Sequence, residues 1–216
     1  MGIADGYTLS TGMSRGSSSI LAATGVVSAV TAASRAGALP VRELASSPQT
    51  FADGRVWLLA TSAVLADRPA TASILGFLVV GLVAVHLCGP RVVWLAAATG
   101  HVLSGAVVYL ALGLARLLDP RAFEHVLRLP DYGTSAVIAA WIGAIATDIW
   151  RRHHRVGAVG LVVVSGLVGW YFKGSLTVID TEHAAALAFG VAAMRLVPAL
   201  RLPRLGPAAV PRAERA

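Results

Sequence analysis

Residues 70–89, ATASILGFLVVGLVAVHLCG, and residues 92–114, VVWLAAATGHVLSGAVVYLALGL, contain no aspartate, glutamate, lysine or arginine. A helix needs about 20 predominantly apolar residues to cross the hydrocarbon of a bilayer, against about 10 for a barrel strand. Lipid offers the backbone no hydrogen-bond partners, so a run of this length must satisfy its own peptide groups, and the helix does so within one segment. The expected fold class is therefore all-α, a polytopic integral membrane helical bundle. Composition agrees: of 216 residues 56% are hydrophobic and 13% charged, too apolar a balance for a domain with a wet surface.

Four further runs bring the expected number of transmembrane helices to six: SSSILAATGVVSAVTAAS at 17–34, GTSAVIAAWIGAIATDIW at 133–150, VGAVGLVVVSGLVGWYF at 156–172 and HAAALAFGVAAMRLVPAL at 183–200. The run VWLLATSAVLA at 56–66 is too short to cross and reads as an interfacial or re-entrant element, with Trp57 at headgroup level. The expected organisation is a flexible cytoplasmic N-terminus at 1–16, a membrane domain at 17–200 and a basic cytoplasmic tail at 201–216.

The formal net charge is +7, from 18 basic against 11 acidic residues. Such a balance can serve nucleic acid, but here the arginines flank apolar runs, as in RRHHR at 151–155 and in the tail, which is the pattern of cytoplasmic membrane edges. The reading is a multi-pass protein of the cell membrane with both termini cytoplasmic, partnered by the lipid bilayer and with no nucleic acid. Cys88, the single cysteine, has no internal disulfide partner. No GxxxxGK[ST], HExxH, CxxC or GxGxxG motif occurs, and neither a metal nor an organic cofactor is expected.

Alternating six spans puts Ser135 and His183 at the outer ends of two different helices, at shared depth. A serine hydroxyl becomes a nucleophile when a base takes its proton, and a neutral imidazole suits that work. Backbone N–H groups at a helix start can then receive a developing oxyanion. The alternative for Ser135 is a hydroxyl that caps its helix, and for His183 an interfacial histidine. Asp180, three residues before His183, either orients the imidazole or caps the helix, and Asp131 is open in the same way. His101, about nine residues into its run, falls near mid-bilayer and away from Ser135. With His86 and Asp148 it is a candidate for lining a polar route.

The order of these elements resembles the rhomboid intramembrane serine protease family over nearly the whole chain. GTSA places Gly133 and Ser135 on the family's G-x-S-G motif, with Ala136 at the final glycine. HAAALAFG places His183 and Gly190 on its sixth-helix pattern, with Ala186 at an intermediate glycine. GRVWLLATSAVL is similar to the loop before the second helix and LCGPR to the turn after it. The resemblance implies a rhomboid-like six-helix fold in which Ser135 and His183 are catalytic residues that cleave a peptide bond of a membrane-protein substrate near the outer interface, as a serine-type intramembrane endopeptidase. The family's H-x-x-x-N pair on the second helix has Pro69 and Ser73 roughly in its place. Loss of one oxyanion donor costs about 3–4 kcal/mol in a soluble protease. The alternative implied is a catalytically inactive rhomboid-like protein that binds or stabilises a membrane partner.

Overall fold

A computed structural model describes residues 15–66, 69–119, 121, 124–173 and 178–199. The N-terminal segment through residue 14 and the tail from residue 201 lie outside the described residues. The described elements are helical: α1 (Arg15–Arg35), the short α2 (Pro48–Ala52) and α3 (Leu58–Thr61), α4 (Ala70–Cys88), α5 (Pro90–Ala98), α6 (Ser104–Leu118), the short α7 (Glu124–Leu127), α8 (Thr134–Arg151), α9 (Arg155–Lys173) and α10 (Val178–Ala199). A π-helical turn, Thr99–Leu103, joins α5 to α6 and makes Pro90–Leu118 one continuous rod. The reversal between α4 and α5 is a single residue, Gly89 at φ 83°, followed by Pro90 in the first turn of α5. Only glycine takes that backbone freely, and proline at a helix start forfeits no hydrogen bond.

Among the described residues three helices are long and apolar enough to cross a membrane: Arg15–Arg35, Ala70–Cys88 and Pro90–Leu118. The expectation of six transmembrane helices in a rhomboid-like bundle is corrected accordingly. The physical reason lies in the second half of the chain. Helix α8 starts on Thr134 and Ser135 and ends on Asp148 and Arg151, and α10 carries Asp180, Glu182, His183 and Arg195. The run at 56–66 folds as α3 and a 3-10 turn, Ser62–Val64, with Leu58, Leu59 and Ser62 buried and Trp57 exposed.

Side chains are distributed as a bilayer demands. Leu75, Val79 and Val83 of α4 and Val107, Leu110 and Leu114 of α6 face outward, while Ser46, Ser62, His101, Ser104, Asp131, Thr134 and Glu182 are buried. Apolar surroundings cover the first set without cost, and polar groups must turn inward to find partners. Three apolar helices of spanning length make this a multi-pass membrane protein.

Helix α8 is the centre. Its Trp141 is 0% exposed, packs on Phe77 of α4 with ring centroids 4.7 Å apart, and donates its Nε1–H to the Val93 carbonyl at 2.9 Å. On its other side α10 comes so near that a Cβ added to Gly143 would strike the Leu187 carbonyl, and one added to Gly190 the Ala140 carbonyl. Small residues at these positions let two backbones touch, which is how helices gain packing energy where lipid supplies no hydrophobic drive.

Residues 36–66, which follow α1, carry a helix cap of their own. Ser47 caps α2 through a reciprocal pair: Thr50 N–H donates to Ser47 Oγ at 3.1 Å and Ser47 N–H to Thr50 Oγ1 at 2.9 Å. Ser47→Ala is expected to cost about 1 kcal/mol, read as a lowered thermal midpoint in detergent micelles; an unchanged midpoint would mean that this loop opens independently of the bundle.

Candidate functional site

The close approach of α8 and α10 brings Ser135 Oγ to 2.8 Å from His183 Nε2. Both side chains are half-buried. The N-cap of α8 is Gly133, with no side-chain cap, so Ser135 is the second helical residue and its hydroxyl satisfies no backbone N–H as a cap. That hydroxyl has two acceptors in reach, His183 Nε2 and, at 3.2 Å, the Tyr132 carbonyl. The shorter contact is the better hydrogen bond when the imidazole carries its proton on Nδ1. His183 Nδ1 faces Asp180 Oδ1 at 3.9 Å, within ion-pair range and beyond hydrogen-bond range. The N–H of Ser135 belongs to the first helical turn, where backbone donors have no acceptor within the helix and the dipole favours negative charge.

Behind Ser135 lies a buried polar chain. Tyr109 O–H donates to Asp131 Oδ2 at 2.8 Å; Ser46 Oγ sits 3.0 Å from Tyr109 Oη and 3.1 Å from Ser62 Oγ; and Ser62 Oγ sits 3.0 Å from His101 Nε2. The loop is also stitched through its backbone, Asp131 N–H to the Ser46 carbonyl at 2.8 Å and Gly133 N–H to the Ser62 carbonyl at 3.0 Å. Thr134 Oγ1–H donates to the Leu65 carbonyl at 3.2 Å. Asp131 is thus neither a cap nor a partner of His183; it accepts from a tyrosine.

Residue counting placed His101 far from Ser135, and that expectation is corrected: the His101 ring touches Gly133, two residues before Ser135, so closely that a Cβ there would overlap it. His86 is exposed at the end of α4 and Asp148 pairs with Arg152 at 2.7 Å, so neither joins His101 in a polar route. Among the described residues no group of three or more His, Cys, Asp or Glu is placed to hold a metal ion. Sequence reading passed over Ser46, Ser62, Ser104, Tyr109 and Glu182. The one signal available was the unusual concentration of hydroxyls and a histidine inside or beside apolar runs, where each must find a partner.

No family model, no curated protein and no solved structure matches the chain. The resemblance to rhomboids therefore gains nothing from comparison. The serine-type intramembrane endopeptidase it implied is corrected together with its architecture, because that mechanism requires a six-helix enclosure and the described residues provide three helices of spanning length. The inactive rhomboid-like alternative presupposed the same fold and falls with it.

Proposed function

We propose that this membrane protein transfers acyl groups from an ester carried by a membrane lipid, with Ser135 as nucleophile and His183 as base. The observation that carries the reading is the 2.8 Å separation of Ser135 Oγ and His183 Nε2 across two helices in backbone contact. Ser135 Oγ attacks the ester carbonyl as its proton passes to Nε2, the first turn of α8 faces the developing oxyanion, and the departing alkoxide takes the proton back to leave as an alcohol. The acyl group remains on Ser135 until a second hydroxyl accepts it. An ester rather than an amide suits the site, because alkoxide is a better leaving group than amine.

A lipid ester fits a half-buried pair at the end of a bundle with an apolar outer surface. Treatment of the protein in native membranes with an alkyl fluorophosphonate, followed by peptide mapping, is expected to show the adduct on Ser135 and none in Ser135→Ala. Equal labelling of the two proteins sinks the proposal.

A further inference from the structure

The π-helical turn Thr99–Leu103 sits where α5, α6, α8 and α10 converge, and each of its buried groups leads to a neighbour of the Ser135–His183 pair. Gly100 packs so closely on Ala140 of α8 that a Cβ would overlap it, and the same Cβ would lie 3.4 Å from the Ala186 carbonyl of α10. His101, 1% exposed, holds Gly133 against its ring and Ser62 on its Nε2. Ser104, the first residue after the turn, is fully buried and donates to the Gly100 carbonyl, with Glu182 Oε1 3.4 Å away. Glu182 is itself 2% exposed and immediately precedes His183. A single-turn π segment is unfavourable relative to regular helix, and such turns concentrate where a helix must present side chains out of ordinary register.

We propose that this turn is a positioning element: His101 fixes the start of α8 through Gly133, Ser104 fixes α10 through Glu182, and together they set the separation of Ser135 from His183. The inference rests on the acyl-transfer reading for its kinetic consequence and on packing alone for its geometric one. Ser135 Oγ reaches Nε2 only if two helices from different parts of the chain stop at matching heights. Gly143 and Gly190 bring the helices together. The turn adds a constraint next to each member of the pair, the His101 ring packed on Gly133 and the Ser104 hydroxyl 3.4 Å from Glu182 Oε1. On the α8 side the tie extends through Ser62 and Ser46 to Tyr109 and Asp131, so the segment entering α8 is held from both ends.

The test uses the full chain in membranes, with the rate constant and the end-point of fluorophosphonate labelling measured separately. His101→Leu and Ser104→Ala are expected to lower the rate constant, on the order of 10²-fold for a displacement of about 1 Å, with the end-point unchanged. His101→Gln, whose amide nitrogen comes close to the position of Nε2, is expected to recover most of the rate. A role in stability alone would lower the end-point and leave the rate constant of the surviving molecules intact, and that result overturns the proposal. Ser104→Ala deletes one hydroxyl and carries the test if His101→Leu does not fold. A second measurement separates the two readings: in a Cys88→Ala background, Ser135→Cys with His183→Cys is joined by a short bis-methanethiosulfonate. If wild type takes no label on Ser135 but His101→Leu still slows crosslinking, the positioning role stands and acyl transfer fails. If His101→Leu and Ser104→Ala label and crosslink as their parents do, the positioning role fails and acyl transfer stands.

Discussion

Replacement of His183 by alanine is expected to slow acylation of Ser135 by about 10²–10⁴-fold, the range that a positioned general base contributes. The size of the effect follows from the hydroxyl's surroundings. A serine O–H bonded to neutral imidazole at 2.8 Å loses its proton to Nε2 as the new bond forms. Without the ring its remaining acceptor in reach is the Tyr132 carbonyl, which cannot take a proton. Asp180→Asn should have a far smaller effect, because its Oδ1 stands 3.9 Å from His183 Nδ1, beyond hydrogen-bond range. Stopped-flow labelling of purified protein in micelles measures both, and a His183→Ala rate equal to wild type removes histidine from the chemistry.

What could be read from the sequence divides along a physical line. The runs at 17–34, 70–89 and 92–114 coincide with the spanning helices because a stretch without charge that is longer than 17 residues has few other stable environments. Hydropathy reads each run in isolation, and it misled in the second half. There α8 owes its burial to α4 and α10 rather than to lipid, and α10 carries three ionisable residues in its first turns. Ser135 and His183 were singled out by chemistry and by matched depth in a six-span alternation that the structure does not have. What joins them is the glycine contact between α8 and α10, a feature invisible to any single-helix pattern. His101 shows the limit most directly. An idealised rise per residue sets its height along one helix, but the chain entering α8 folds back and lays Gly133 on its ring. The hydroxyls of Ser46, Ser62 and Tyr109 meet across 63 residues of sequence, and no local rule pairs them.

Gly190→Leu is expected to abolish Ser135 labelling and to destabilise the bundle together. At Gly190 a Cβ would collide with the Ala140 carbonyl, which is backbone and has no rotamer to yield, so α10 must retreat from α8 by more than a methyl radius. Overpacking in a tight interior costs about 1–3 kcal/mol when side chains can adjust, and a collision with backbone lies at the upper end of that range or beyond. Retreat also carries His183 away from Ser135, seven residues further toward the start of the same helix. Gly143→Leu, which meets the Leu187 carbonyl from the facing side, should reproduce both losses. Gly160→Leu on α9, where nothing stands within 4 Å of the new carbon, should leave labelling intact and serves as the matched control for added bulk. Thermal unfolding in micelles and the labelling end-point are the measurements. If Gly190→Leu kept both, α8 and α10 would not be in backbone contact, and the distance on which the proposed chemistry depends would have no structural support.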